Sequence, residues 1–224
     1  MRFTSAWAAM SSRDAILGRI RAALRRPAGV ETAISAMDAY EHTPAHGPLP
    51  NHDADLVNGF IARAGALASC VVGPVPASSV PAAVADYLNG QHLPLRAVCW
   101  PILATHDWRA VGVDVTARPA QASDAVGITA AFCAVAETGS LLLLSGHDSE
   151  ATLSLLPETH IAIVPVGRVV AHLEDAFDLL RHEHRAMPRA VNFVSGPSRT
   201  ADIEQTVTLG AHGPYRVLIV LTAP

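Results

Sequence analysis

Residues 56–100 read LVNGFIARAGALASCVVGPVPASSVPAAVADYLNGQHLPLRAVCW. The apolar spacing in this stretch alternates between two periods. Leu56 to Leu67 repeats like a helix, and Ser69 to Val72 is a short apolar, β-branched run that reads as a buried strand. Ser79 is placed to cap a second helix, with Pro81 in its first turn and Gly90 closing it. Arg96 to Trp100 is again a strand, and Val111 to Thr116 predicts a third. Strands that alternate with helices predict an α/β fold of three layers, a mostly parallel sheet with helices on both faces.

The alternation continues downstream. Phe132 to Ala136 and Leu141 to Leu144 are apolar runs on either side of Glu137, Thr138, Gly139 and Ser140, which predicts a hairpin with Gly139 at the turn. HIAIVPV (160–166) predicts a strand, Leu173 to Arg185 an amphipathic helix, and Ala190 to Val194 and Arg216 to Leu221 the last strands. Upstream, Ser11 and Asp14 form a capping box before a helix that carries Ile16, Leu17, Ile20 and Leu24 on one face. Residues 27–53 hold prolines, glycines and three histidines, His42, His46 and His52, and read as a linker or arm. The chain thus divides into a basic helix and arm over 1–55 and an α/β domain over 56–224. Met10, just before the first clear element, is an alternative start to Met1.

Composition narrows the function. The chain has 224 residues, half of them hydrophobic and only 16% charged, which suits one globular domain of ample core. The net charge is −4, with six arginines and one acid in residues 1–26, so the chain has no global attraction to nucleic acid. There is no lysine: all 16 basic residues are arginine. Schiff-base chemistry, a pyridoxal phosphate anchor and a Walker lysine are thereby excluded. Cys70, Cys99 and Cys133 are far apart, each in an apolar run, and no CxxC occurs. Iron–sulfur or zinc sites built on close cysteine spacing are not expected, and no metal site is assigned. No run approaches the length of a membrane span and the start is a poor signal peptide, so a cytoplasmic protein is expected.

Two motifs carry chemistry. Glu137, between two buried strands, is the carboxylate placed for proton chemistry, with Thr138, Gly139 and Ser140 beside it. The second motif is SGPSRTADIEQ (195–205). A strand ending at Val194 and turning through Ser195, Gly196 and Pro197 predicts a helix N-terminus at the sheet edge. Its backbone N–H groups, with Ser198, Arg199 and Thr200, form a candidate anion site, and Asp202 and Glu204 are read as cap residues of that helix. The two motifs are expected to share one pocket. His212, just before the last strand, is a further candidate acid, base or ligand contact. His182 and His184 diverge on their helix and are not read as metal ligands.

GITAAFCAVAETGSLLLLSG, LSLLPETHIAIVPVGRVV and MPRAVNFVSGPSRTADIEQTVTLGAHGPYRVLIVL closely resemble the lactate utilisation protein C family, the LUD domain or YkgG-like proteins. RDAILGRIRAAL resembles that family's opening helix. The resemblance implies a fold like that of glucosamine-phosphate isomerase, ribose-phosphate isomerase and CoA transferase. It implies a role in oxidation of L-lactate to pyruvate beside iron–sulfur partner proteins. This chain, lacking cluster ligands, would then be a non-redox or accessory subunit that binds a small anion and no cofactor of its own. The alternative is a free-standing enzyme or binding protein for a phosphorylated, carboxylated or CoA-linked metabolite. A ligand-free scaffold is a third reading. After LLLLSG the family usually continues with a basic, glycine-containing stretch; this chain reads HDSEATLSLLP, and His147, Asp148 and Glu150 make its loop acidic.

Overall fold

The computed structural model describes residues 12–24, 47–52, 54–184, 186–200 and 208–223. The chain divides into two compact units, Met1–Gly47 and Pro48–Pro224. In the first, helix α1 (Ser12–Ala23) has Asp14 in its first turn and Arg21 in its last, the charge order that suits the helix dipole. Ser11, half of the expected capping box, lies outside the described residues.

The second unit begins its regular structure with α2 (Leu56–Ala66), whose Asp55 carboxylate accepts the backbone N–H groups of Val57 and Asn58, both at 3.1 Å. Strand β1 (Cys70–Pro76) and helix α3 (Val80–Gly90) follow. Ser79 makes no side-chain cap; a short 3₁₀ turn over Ala77–Ser79 delivers the chain into α3 instead, with Pro81 in its first turn. The next strands are β2 (Arg96–Cys99), β3 (Asp114–Ala117) and β4 (Val126–Ala130). Val111 closes a 3₁₀ turn rather than opening β3, because Gly112 at φ 73° reverses the backbone there.

Strands β5 (Cys133–Val135) and β6 (Ser140–Leu144) form the expected hairpin. Then come β7 (Thr159–Pro165), β8 (Val169–Val170), α4 (Leu173–Glu183), β9 (Val191–Val194), the two-residue strands β10 (Arg199–Thr200) and β11 (Thr208–Leu209), and β12 (Arg216–Ala223). The main sheet has the order β1-β12-β7-β4-β2-β3, and every neighbouring pair in it is parallel.

Burial explains the runs. Along β7, Ile161 and Ile163 pack with Val84 and Leu88 of α3, while Ala162 and Val164 pack with Phe60 and Ala64 of α2. A strand covered on both faces reads as a continuous apolar run, as HIAIVPV does. The hairpin belongs to a second sheet, β8-β5-β6-β9, which the sequence reading did not separate from the first. Its Leu141 and Leu143 face the core shared with α2, and Leu142 packs with Ala176 of α4. The four leucines of β6 are thus needed because this sheet, too, is covered on both faces.

Candidate functional site

The hairpin turn is built tightly. Gly139 has φ 65° and its N–H donates to the Val135 carbonyl at 2.9 Å. A left-handed residue closes this turn, which glycine adopts without strain. Beyond the end of β5 the ladder with β8 continues: Ala136 N–H donates to the Val170 carbonyl at 2.9 Å, and Glu137 N–H to that of Ala171 at 3.0 Å. The backbone of Glu137 is therefore fixed where two parallel strands end.

Its side chain is fixed as well. His172 Nδ1 lies 3.1 Å from Glu137 Oε2. With an ionised carboxylate, which only accepts, the donor in this bond is Nδ1–H. His172 is buried and occupies the N-cap of α4; its own N–H donates to Asp175 Oδ2 at 2.9 Å. The ring of His52 meets the His172 ring edge-on, with centroids 5.3 Å apart.

Glu137 opens onto a cleft of about 240 Å³ lined also by Asn51, His52, Leu56, Gly59 and Arg63. Leu56, Gly59 and Arg63 fall three and four residues apart on one face of α2, which turns them toward the hairpin together. The Arg63 stem rests against the turn: a Cβ built on Gly139 would stand 2.9 Å from Arg63 Cγ and 2.6 Å from the Ala64 nitrogen. One cleft thus presents a carboxylate held by histidine and a guanidinium carried by α2. His172 lies behind Glu137 and acts as a positioning residue.

The SGPSR loop meets the hairpin but not this cleft. Ser140 Oγ and Ser195 Oγ are 2.6 Å apart, and β6 pairs with β9 up to Leu141 and Val194. Gly196, at φ 86°, passes so close to the Leu67 carbonyl that a side chain there would collide. Arg199 Nη2 donates to the same carbonyl at 2.8 Å. Leu67 is the C-cap of α2, so the arginine sits where the helix dipole is negative.

The helix N-terminus expected after Pro197 does not form at these residues: Arg199 and Thr200 pair as a strand with Leu209 and Thr208. Ser198 N–H donates to the Pro214 carbonyl and its own carbonyl accepts from Gly210, so that N–H is already bonded within the fold. Asp202 and Glu204 lie outside the described residues. His212 is exposed in the bend after β11. The Thr138 hydroxyl oxygen is buried and has no partner among the described residues.

Arg199 therefore reads as a clasp on α2. Arg199→Ala is expected to lower stability by about 0.5–1.5 kcal/mol, the net worth of one such bond. Urea unfolding of the two proteins checks it, and an unchanged midpoint would show that the bond contributes nothing.

The cysteines sit on separate strands, with Cys99 and Cys133 buried. Burial pushes the Cys99 thiol up to about 11 and the Cys133 thiol up to about 12. Thiols so hard to ionise are packing residues. Among the described residues no three His, Cys, Asp or Glu side chains are grouped so as to hold a metal ion, and no helix is long and apolar enough to cross a membrane.

Residues 101–222 match the model of the LUD domain. The chain belongs to the LUD domain family. The matched segment includes Glu137, Ser140, His172, Ser195 and Arg199, but not Arg63 or His52. Lactate utilization protein C 1 of Bacillus mycoides is 41% identical over 105 residues, 46% of this chain and 44% of the relative. Lactate utilization protein C of Bacillus subtilis is 34% identical over 133 residues, 54% of this chain and 55% of the relative. The chain spans about half the length of these curated relatives. Among solved structures, a DUF162 family protein from Deinococcus radiodurans is similar in fold, with TM-score 0.60 and 24% identity, over 77% of this chain and 99% of that one. The α/β fold of this LUD domain therefore has an experimental counterpart over 77% of the chain.

Proposed function

We infer that this LUD domain serves lactate utilisation by binding a small 2-hydroxy carboxylate, as a component that carries no redox group of its own. The observation that carries the reading is that Arg63 and Glu137 both line one cleft of about 240 Å³. A guanidinium grips a carboxylate through two parallel N–H donors. An ionised glutamate accepts a hydrogen bond and rejects a second anion, so it suits a hydroxyl next to that carboxylate. Lactate offers both groups on adjacent carbons. His172 holds one oxygen of Glu137, which leaves the other for the ligand. The names of the relatives support the same substrate class. Electron transfer is assigned to iron–sulfur partner proteins in the cytoplasm, since the three cysteines of this chain stand on three different strands.

The test is genetic. A strain lacking this chain is expected to lose growth on L-lactate and to regain it with the wild-type protein. Glu137→Gln and Arg63→Ala, expressed at wild-type levels, are expected not to restore growth. Full growth with both variants would show that the cleft plays no part in the pathway.

A further inference from the structure

A second cleft lies where the topology of the main sheet reverses. From β2 the chain moves outward to the edge strand β3; from β4 it moves the other way, toward β7 and β12. The connections leaving β2 and β4 therefore part in opposite directions above the carboxyl ends of two neighbouring strands. Crevices of this kind are where open α/β sheets take ligands. Here the crevice is a cavity of about 540 Å³ lined by Trp100 and Ile102 after β2, Ala131 and Phe132 after β4, and by Leu144, Asp148 and His184. None of its lining residues lines the Glu137–Arg63 cleft.

Its chemistry differs from that of the first cleft. The Trp100 indole is held in place, its Nε1–H donating to the Glu150 carbonyl at 3.1 Å. That bond also ties down the end of the acidic loop His147–Glu150, whose Asp148 and Ser149 line the cavity. Phe132 forms another wall, with the His184 ring 5.7 Å from it on centroids. Among the described residues, no arginine lines the cavity. Arg168 lies over the Phe132 ring, 4.7 Å from its centroid, and is paired with Glu183 through both guanidinium nitrogens. The charge at the rim is therefore the Asp148 carboxylate, whose Oδ1 is bonded to His147 and whose side chain is 73% exposed.

We propose that this crevice is a second ligand site, taking an apolar molecule with a cationic group directed at Asp148. Apolar and aromatic walls with a few polar groups at the edge are the usual make-up of a small-molecule site. A carboxylate at the rim, with no arginine among the described lining residues and Arg168 neutralised by Glu183, selects against anions. The acidic loop thereby gains a role: it sets the sign of charge the cavity accepts.

Tryptamine and indole-3-acetate share one ring and differ in the sign of their charge. Each is titrated into the full-length protein at about pH 9, where histidines are ordinarily neutral. The indole N–H resonances are followed by NMR, and Trp100→Phe assigns the Trp100 signal. Tryptamine is expected to shift the Trp100 signal and to bind about fivefold more tightly than indole-3-acetate, as one solvent-screened ion pair provides. Asp148→Lys, at an exposed position, is expected to reverse the preference. Ile102→Ser is expected to weaken both probes, and Arg63→Ala to leave both unchanged. The proposal is overturned if neither probe shifts the Trp100 signal, if both bind equally, or if Asp148→Lys keeps the tryptamine preference.

Discussion

Gly139→Ala is expected to lower the stability of the folded protein by about 2–4 kcal/mol, combining a left-handed conformation with a steric clash. The backbone at Gly139 has φ 65°, and an added Cβ would stand 2.6 Å from the Ala64 nitrogen and 2.8 Å from the Arg63 carbonyl carbon. Those are backbone atoms of α2 and do not swing aside like a side-chain tip. Either the hairpin lifts or the helix shifts. Urea unfolding would register the loss as a lower midpoint with the same slope. An unchanged midpoint would mean that hairpin and helix are not pressed together, and the Arg63 placement would lose its support.

The second large effect depends on pH. His160 is wholly buried on β7, with Nε2 2.8 Å from Thr129 Oγ1 and Nδ1 without a partner among the described residues. Donation from Nε2–H to the threonine leaves Nδ1 as a bare acceptor, the less costly of the two tautomers. Burial pulls the imidazole pKa down from 6.5 to about 4. In that window the unfolded chain binds a proton that the folded one refuses, so stability rises with pH. The contribution is complete above the unfolded value and is lost as pH falls from about 6.5 to about 4, amounting to about 3 kcal/mol. His160→Gln does not titrate there. Between about pH 7 and pH 4.5 the wild type is expected to lose about 2–3 kcal/mol more than His160→Gln. Carboxylates such as Asp124, whose pKa Arg118 lowers, also cost stability in acid, but they do so in both proteins. Parallel losses would place the acid sensitivity elsewhere.

The sequence showed five of the six strands of the main sheet, because a run buried on both faces, such as HIAIVPV, has a period of its own; the central β4 (Val126–Ala130) was not read as a strand. It did not show that the hairpin leaves that sheet. Leu141 to Leu144 would look the same in either sheet, and the choice rests on pairing with β8 and β9, far away in the chain. The loop after β9 misled for a related reason. Serine, glycine and proline before a charged run fit a helix start, yet Arg199 and Thr200 find strand partners in Leu209 and Thr208.

The site was half legible. A glutamate between two apolar runs marks itself out, and Glu137 does line a cleft. Its companions did not. Arg63 was not singled out within the helical run Leu56 to Leu67, and His52 belonged to the stretch read as a linker or arm. His172 left a faint trace: an aspartate three residues on, at the start of a helical run, is the second half of a capping pattern. What joins these residues is tertiary contact across 35 residues between Glu137 and His172 and more between α2 and the hairpin. No local spacing encodes it.

The most direct test of the Arg63–Glu137 cleft compares L-lactate with pyruvate by calorimetric titration. Both carry the carboxylate for Arg63, but only lactate has a hydroxyl to donate to Glu137. One hydrogen bond to a charged acceptor is worth about 1.5–3 kcal/mol, so lactate is expected to bind at least about tenfold more tightly. Glu137→Gln, whose amide can donate to a keto oxygen, is expected to narrow or invert that ratio, and Arg63→Ala to weaken both ligands. Equal binding of lactate and pyruvate by the wild type, or lactate binding untouched by Arg63→Ala, would contradict the assignment of this cleft to a 2-hydroxy carboxylate.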